Sequence, residues 1–419
     1  MSEIQIKTHR ELLDSRKPGH GMPGELFGRQ DVFETDFDVF FNKLWLLVAV
    51  TADVPEPGDV FTIDIGKASV MIVRDEDEGI RAYRNVCRHR GSRIMKNEGK
   101  ASVGMLVCPY HQWTYDLDGS LRHSTHMGKD FDASCHSLIP VHLKVVGAHI
   151  FICLADKAPE DFAKLESEMT PRFAPYDLLR TKIAHEMTIV ENGNWKLVME
   201  NNRECYHCAG THPELVNSFL AEDFGFCPDG QSEESLLAFE QYQQRNAASQ
   251  ANWESEGYVC ATFESLDESV ETNFRTQRLV IAGAGESQTM STKVACKKLL
   301  GGLTRRDLGD VHMWGHHSWT HVMSDHVLVS YAIPLAPDKT QVRTVWLVHE
   351  DAVEGVDYDL KELTEVWVAT TAQDAELVGN AHSGTQDPAY VPGPFSQFTE
   401  AYIDQFSRWY DARLKAHGT

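Results

Sequence analysis

Two short segments of the chain each carry one cysteine and one histidine at a spacing suited to metal binding. Cys87 and His89 lie in CRHRG, and Cys108 and His111 lie in CPYH. Two such loops facing each other can hold a [2Fe–2S] cluster, with thiolates on one iron and imidazoles on the other, which raises the reduction potential. A Cys2His2 zinc site would use the same four atoms. The short strands, glycine, proline and tryptophan around the loops favour the iron–sulfur cluster.

A second candidate metal site lies about a hundred residues further along, in ENNRECYHCAGTHPEL, which contains His207 and His212. Non-haem Fe(II) oxygenases bind iron with two imidazoles and one carboxylate on one face and leave the opposite positions open. The two histidines are five residues apart, so a helix end or distortion before Pro213 is needed to bring both inward. The alternative is that His207, Cys205 and Cys208 form part of a core or of a zinc site.

The hydrophobic pattern predicts the elements that position these residues. Across residues 44–155, short β-rich runs alternate with turn residues, which predicts a small antiparallel sandwich or barrel. A connector helix is then predicted in PEDFAKLESEM, and a helix-like stretch in NWKLVMENNRECYHC. A strand-rich stretch at about 279–348 and two helices at about 359–379 and 396–415 follow. The polar run 241–257 is expected to be a loop or a mobile segment.

These patterns predict an α+β protein. Residues 1–43 are expected to form an N-terminal helical segment that packs on the catalytic domain. Residues 44–155 are expected to form the domain with the cluster, and residues 156–419 the larger domain with the mononuclear iron. We find no internal repeat and no low-complexity segment in the sequence.

The composition excludes several classes of protein. Acidic residues outnumber basic ones by 62 to 39, a net charge of −23, which argues against a nucleic-acid binder and against docking on anionic lipid. No apolar run approaches the roughly 18 residues of a membrane helix, and the first residues lack the layout of a signal peptide. A cytoplasmic protein is expected. The nine cysteines are therefore interpreted as metal ligands or buried thiols rather than as a disulfide framework.

One stretch reverses the acidic character of the chain. Residues 79–97 contain no acidic side chain and surround His89. The basic residues of this stretch are Arg81, Arg84, Arg88, Arg90, Arg93 and Lys96. One hypothesis is a docking patch for an acidic electron donor, because opposite patches raise encounter rates. The alternative is that some of these arginines bind carbonyl groups or the carboxylates of a neighbouring subunit.

The two cysteine–histidine loops, CRHRG and CPYHQWTY, resemble those of Rieske non-haem iron oxygenase α subunits, and the resemblance extends from about residue 25 to 415. It implies a small antiparallel β Rieske [2Fe–2S] domain followed by a helix-grip-like catalytic domain of helices and antiparallel sheet. It also implies that Cys87 and Cys108 bind one iron of the cluster, and that His89 and His111 bind the iron nearer to solvent.

The same resemblance implies a third ligand for the mononuclear iron. In the family this is a late aspartate on a helix, and the matching segment VWVATTAQDAELV points to Asp374, with Glu376 and Asp387 as nearby alternatives. Family members assemble as head-to-tail homotrimers in which the cluster of one subunit adjoins the iron of the next. A carboxylate bridges the two sites, and the matching residue is Glu204, three residues before His207.

The longer matching segments are most similar to the branch that removes N-methyl groups from betaines, which includes glycine betaine monooxygenases and stachydrine (proline betaine) demethylases. Examples are WLVHEDAVEGVDYD and PAYVPGPFS. Arene dioxygenases usually carry aspartate at the position of Glu204. The resemblance implies O2-dependent hydroxylation of an N-methyl group of a quaternary ammonium compound, with release of formaldehyde and the demethylated amine. It also implies that NAD(P)H supplies electrons only through a separate flavin/iron–sulfur reductase.

Two alternatives remain open at this point. One is the α subunit of an aromatic-ring-hydroxylating oxygenase, and the other is a Rieske electron carrier without catalysis of its own. Where betaine demethylases commonly carry TMDG, this chain reads SQTMSTKVACKK, so the substrate within the class stays open. A quaternary cation can be held over aromatic faces. The candidates for such a cage are Trp314, Trp319, Phe219, Phe226 and Tyr258.

Overall fold

A computed structural model describes residues 7–418 of the chain. The chain forms two compact units. One holds the chain up to Val39 together with the chain from Asp161 onward, and the other is Phe40–Glu160. No helix among the described residues is long and apolar enough to cross a membrane.

The unit Phe40–Glu160 is built from three small antiparallel sheets. Their orders are β1-β10-β9, β4-β3-β2-β5 and β6-β7-β8, which confirms the predicted antiparallel β domain. Apolar side chains of these strands are buried, as in Leu46–Val50. The strands are β1 (Leu46–Val50), β2 (Asp59–Ile65), β3 (Ala68–Arg74), β4 (Ile80–Arg84), β5 (Gly99–Ser102), β6 (Leu106–Val107), β7 (Thr114–Tyr115), β8 (Leu121–His123), β9 (His142–Val146) and β10 (His149–Cys153).

The other unit combines one antiparallel sheet with helices. The sheet has seven strands in the order β11-β17-β16-β15-β14-β13-β12, so the predicted α+β fold is confirmed. Its strands are β11 (Thr181–Glu191), β12 (Phe263–Ser265), β13 (Phe274–Leu279), β14 (Asp310–Gly315), β15 (Ser318–Val322), β16 (His326–Ala336) and β17 (Lys339–His349). The helices are α1 (His9–Asp14), α2 (Glu25–Gly28), α3 (Gln30–Asp36), α4 (Phe162–Phe173), α5 (Trp195–Asn201), α6 (Cys208–Thr211), α7 (Glu233–Ser255), α8 (Leu360–Thr385) and α9 (Ala401–Ala416).

Helix α7 corrects one expectation. The polar run 241–257 is not a loop, because Glu233–Ser255 forms a helix of 23 residues. Its N-cap is Ser232, whose hydroxyl accepts from the amide of Ser235. Only Trp253 in this helix is buried, which explains why the sequence shows no apolar stripe.

The strand register places one row of side chains on a single face of the seven-stranded sheet. Residues directly opposite each other in neighbouring antiparallel strands point to the same side. The row contains one residue from each of six adjacent strands. In the sheet order β11-β17-β16-β15-β14-β13 these residues are His185, Trp346, Leu328, His321, His312 and Gln277. Helix α8 covers this face, since the rings of Trp367 and His321 lie 4.5 Å apart.

Buried charges tie the N-terminal helices to the rest of their unit. Asp36 at the end of α3 accepts hydrogen bonds from the Trp195 indole at 2.9 Å and from the Tyr410 hydroxyl at 2.6 Å. It also pairs with Lys196, and both side chains are fully buried. One carboxylate therefore joins α3, α5 and α9.

Candidate metal centres and active site

The two cysteine–histidine loops of the β domain repeat the same turn. The Gly91 amide donates to the Cys87 carbonyl, and the Gln112 amide donates to the Cys108 carbonyl, both at 3.1 Å. Gly91 and Gln112 have φ angles of 73° and 61°, the left-handed conformation that closes each turn. Because the turns match, each loop presents one sulfur and one imidazole in the same way.

The four side chains of these loops are brought together. Cys87 and Cys108 are buried, and their thiols lie close enough to interact electrostatically. His89 is exposed and His111 is half-buried, and their ring centroids lie 4.6 Å apart. Two inner thiols and two outer imidazoles are the donor set of a Rieske cluster, and the buried Nδ1 of His111 has no partner among the described residues.

Tyr115 adjoins the sulfur side of this site. Its hydroxyl accepts from the Arg88 amide at 3.0 Å and lies 3.4 Å from the Cys87 sulfur, so it can donate a hydrogen bond to a thiolate at this position. Burial raises the pKa of the Cys87 thiol, and the hydrogen bond from Tyr115 opposes that rise. Hydrogen bonds to cluster sulfurs are one means by which proteins set the reduction potential.

The second site is formed where α5 ends. After Asn201 the chain turns, and the four-residue helix α6 begins directly after His207 and ends directly before His212. The five-residue spacing is therefore accommodated by one short helical turn that precedes Pro213. Helix α8 supplies Asp374 from the other side.

These three side chains converge on one point. The Nε2 atoms of His207 and His212 are 3.0 Å apart, and Asp374 Oδ1 lies 3.1 Å from His212 Nε2 and 3.5 Å from His207 Nε2. Adjacent ligands of an ion bound at roughly 2.1 Å are about 3 Å apart. The residues thus fit a two-histidine, one-carboxylate iron site. The sequence alternatives Glu376 and Asp387 are both exposed.

Hydrogen bonds fix which nitrogen each histidine presents. His207 Nδ1 donates to Glu204 Oε1 at 2.5 Å, and His212 Nδ1 donates to Gln373 Oε1 at 2.8 Å. Both Nε2 atoms are therefore directed at the common point. Burial would lower the pKa of His207, but Asp374 and Glu204 raise it to about 9. Burial likewise opposes ionisation of Asp374, yet the two histidines lower its pKa.

Glu204 lies in the turn between α5 and α6, so the predicted helix-like stretch NWKLVMENNRECYHC is interrupted at this residue. Its side chain is only 11% exposed, so it is not a solvated surface carboxylate. Besides His207 Nδ1, it accepts hydrogen bonds from the amides of Tyr206 and His207. The carboxylate is therefore held rigidly beside the histidine.

Cys205 and Cys208 flank His207 and form a disulfide. The expectation that the cysteines are metal ligands or thiols is wrong for this pair. Within the described part of the chain, the remaining seven cysteines are free. The alternative of a zinc site built on His207, Cys205 and Cys208 is thereby disfavoured, because neither sulfur is available as a thiolate.

A cavity opens at the two histidines and Asp374, and aromatic side chains line it. Of the proposed cage residues, Phe219 lines this cavity and Trp319 lines an adjoining one beside Asp374. Trp314, Phe226 and Tyr258 line neither. The sequence analysis missed Phe224, Trp367, His312, His321 and Gln373. Of these five residues, only Trp367 could have been identified from the sequence, because it precedes Asp374 by seven residues and therefore lies on the same helical face.

Comparison with known proteins agrees with this geometry. The family model for the Rieske [2Fe-2S] domain matches residues 44–145, which decides against zinc at the first site. The model described as ring hydroxylating alpha subunit (catalytic domain) matches residues 178–416. The alternative of a simple electron carrier is therefore wrong.

Relatives extend over nearly the whole chain. The glycine betaine monooxygenase oxygenase subunit of Pseudomonas aeruginosa (strain UCBPP-PA14) is 41% identical over 97% of this chain and 92% of its own. The corresponding subunit of Chromohalobacter salexigens is 39% identical over 96% and 87%. In fold, a crystal structure of a quaternary ammonium Rieske monooxygenase has a TM-score of 0.69 at 20% identity, covering 97% of this chain and 99% of the other. The chain thus belongs to the Rieske non-haem iron oxygenase α subunits, which combine a [2Fe–2S] domain with a mononuclear iron domain, and it is a monooxygenase of this family.

Proposed function

We propose that this chain is the oxygenase subunit of a monooxygenase that removes an N-methyl group from a betaine, such as glycine betaine or proline betaine. The observation that carries the proposal is the near full-length identity of 41% to an oxygenase subunit named for glycine betaine. The aromatic lining of the cavity beside Asp374 supports it, because aromatic faces attract quaternary cations.

The reaction balances with O2 as oxidant. One oxygen atom is inserted into a C–H bond of the methyl group, and the other leaves as water after uptake of two electrons and two protons. The resulting N-hydroxymethyl cation loses a proton and releases formaldehyde, which leaves the demethylated amine. The bound iron supplies O2 activation, and a separate reductase supplies the electrons.

The residues around the iron site have separate tasks in this proposal. His207, His212 and Asp374 would hold the iron from one side, which leaves the cavity side open. Phe219, Phe224 and Trp367 line that cavity, where they would exclude water and place the methylammonium group. Positioning a substrate in this way removes part of the entropic barrier.

We also propose a head-to-tail homotrimer in which Glu204 links the two redox sites. Within a chain the cluster ligand His111 and the iron ligand His207 lie in different units. The support for the link is that Glu204 is held against His207 by hydrogen bonds to both its ring and its amide. A rigid carboxylate of this kind sets ring orientation and basicity.

The test is turnover of a panel of quaternary ammonium compounds and arenes with a surrogate reductase and NADH. We expect one formaldehyde per O2 consumed with at least one betaine, and none with Asp374→Ala protein. Formation of a cis-diol from an arene, without formaldehyde from any betaine, would instead establish the ring-hydroxylating alternative. Oxygen uptake should be followed alongside, since uncoupled reduction of O2 gives no organic product.

A further inference from the structure

Three buried side chains on the cavity side of the seven-stranded sheet form a cluster of hydrogen-bond donors. Gln277 on β13 lies directly opposite His312 on β14, and Arg275 is two residues along β13 on the same face. Their side chains are buried, with residue exposures of 7%, 2% and 5%. We call these three residues the donor cluster.

The hydrogen bonds of these three residues leave one buried nitrogen on each without a partner among the described residues, and the His312 nitrogen is a donor in the tautomer with its proton on Nδ1. Arg275 Nε donates to Glu264 at 2.9 Å, and Arg275 Nη2 donates to Gln277 Oε1 at 2.6 Å. The bond to Gln277 Oε1 fixes the orientation of the Gln277 side-chain amide. Gln277 Nε2 therefore points away from Arg275 and is available as a donor. Arg275 Nη1, Gln277 Nε2 and His312 Nδ1 are all buried and have no partner among residues 7–418. Buried polar groups without a partner are rare in proteins and call for an explanation.

Neighbouring carboxyl groups do not accept hydrogen bonds from these three nitrogens. Asp310 already accepts from His321 Nδ1 at 2.6 Å and from Gln288 Nε2 at 2.9 Å. Asp223 accepts from the Tyr242 hydroxyl, and burial raises its pKa to about 7.

The donor cluster borders the proposed reaction site. His312 lines the same cavity as His207, His212 and Asp374, and its ring stacks on His321 with centroids 4.5 Å apart. Gln277 is one strand further on, and neighbouring strands are about 4.8 Å apart. An anionic group placed between His312 and Gln277 would thus lie at the edge of the cavity that Asp374 also lines.

We propose that His312 and Gln277, backed by Arg275, bind the carboxylate of the substrate. This inference rests on the proposed function and narrows its substrate class. The substrate is a zwitterion with a carboxylate close to its methylated ammonium, as in an amino-acid betaine, rather than a plain cation such as choline. Hydrogen bonds to a carboxylate are charge-assisted and strong. Burial and the nearby Arg275 and His321 also keep the pKa of His312 well below its usual value, so its neutral ring does not repel the ammonium group.

The first test compares glycine betaine with choline on the unmodified enzyme. The two share the trimethylammonium group, but choline offers a hydroxyl in place of the carboxylate. Choline offers the buried donors one neutral oxygen in place of two charged ones, which leaves donors unpaired, so we expect kcat/KM to be at least about 100-fold higher for glycine betaine. Calorimetric binding of both compounds gives a second readout that does not depend on turnover. Equal affinity and equal turnover would mean that the donors bind only water.

The second test changes the donor cluster while keeping its shape. Gln277→Glu retains an acceptor for Arg275 but replaces the free amide donor with negative charge. We expect KM for glycine betaine to rise at least about 30-fold, with a much smaller change in the already low turnover of choline. Gln341→Glu makes the same chemical change on β17 of the same sheet and is the matched control. His312→Phe, which keeps the stacking on His321, should act in the same direction as Gln277→Glu.

The outcomes separate the inference from the function on which it rests. If the unmodified enzyme releases no formaldehyde from any quaternary ammonium compound, the proposed function fails. If it demethylates glycine betaine but Gln277→Glu and His312→Phe leave KM within twofold, the function stands and the inference is wrong. Iron content and far-UV circular dichroism of each variant show whether it is folded and loaded.

Discussion

His212 Nδ1 lies 2.8 Å from Gln373 Oε1, and Gln373 immediately precedes Asp374 on α8. One turn of this helix therefore supplies a carboxylate for the iron site and also orients a histidine that comes from 161 residues earlier in the chain. Gln373 is itself held, because its Nε2 donates to Glu214 at 2.9 Å. The amide cannot rotate without losing one of the two bonds.

This relationship predicts that Gln373→Leu weakens the mononuclear site. Loss of the acceptor frees the His212 ring to rotate and to change tautomer. Removal of such a partner typically costs about 10–100-fold in metal affinity or activity. Iron titration and formaldehyde release measure the effect. Glu376→Gln, an exposed position on the same helix, is the control, and equal behaviour of the two variants would contradict the role of Gln373.

Substitution of a ligand of the mononuclear iron should disrupt that iron site and leave the Rieske cluster intact. His207→Ala or Asp374→Ala is expected to abolish turnover and to lower the iron content from three atoms per chain to two. The visible spectrum of the Rieske cluster should be unchanged, because the cluster ligands lie in the unit Phe40–Glu160. Asp387→Ala serves as control, since Asp387 is exposed. Bleaching of the cluster in purified Asp374→Ala protein would contradict this assignment.

Glu204→Gln tests the link between the redox sites. Glutamine can still accept a hydrogen bond from His207, so both metals should stay bound. The negative charge beside the ring is lost, and we expect turnover to fall by about 10²-fold or more. Single-turnover oxidation of the cluster would show whether electron transfer or binding is affected. Normal steady-state turnover at full iron content would refute the role.

Asp36→Ala tests how the N-terminal segment is held on the catalytic domain. The substitution leaves Lys196 buried without its carboxylate and also removes the acceptor of Trp195 and Tyr410. Breaking a buried ion pair from one side costs about 3–5 kcal/mol. Denaturant unfolding of the catalytic unit should show this loss, whereas Glu34→Ala, at an exposed position of the same helix, should have little effect. Equal free energies of unfolding for Asp36→Ala and the unmodified protein would mean that water hydrates the Lys196 ammonium group in the variant and replaces its lost carboxylate.

The candidate metal ligands could be predicted from the sequence, whereas most of the residues around them could not. Cys87, His89, Cys108 and His111 lie in short motifs whose spacing is itself the chemical signal. His312 and Gln277 become neighbours only through pairing of β13 with β14, and nothing in their local sequence marks them.

Other differences have local causes. The polar helix α7 buries only Trp253, so its pattern resembles that of a loop. The disulfide between Cys205 and Cys208 was missed because spacing alone does not distinguish a thiol pair from metal ligands.

The basic stretch 79–97 divides into two groups in the structure. Arg81 pairs with Asp75, Arg93 pairs with Asp64 at 2.8 Å, and Arg84 donates to the Leu154 carbonyl at 2.8 Å. For these three arginines the structural explanation holds. Arg88, Arg90 and Lys96 are exposed, and Arg90 lies over the Tyr110 ring, 5.2 Å from its centroid. Arg88 and Arg90 are the sequence neighbours of His89, the proposed cluster ligand nearer to solvent.

The docking hypothesis is therefore narrowed to Arg88 and Arg90. Arg90→Glu should lower the reductase-supported rate at sub-saturating reductase by about tenfold at low salt. The new carboxylate repels an acidic reductase at the position where the arginine would attract it and speed encounter. The difference from the unmodified enzyme should shrink as ionic strength rises from about 0.02 to 0.3 M, where the Debye length falls below 10 Å. Lys157→Glu, at a position 82% exposed and outside the stretch, changes the net charge equally and is the control. A small neutral reductant should show no such dependence. If both variants respond alike to salt, the charge acts through the net field of the protein and not through a docking patch at the cluster.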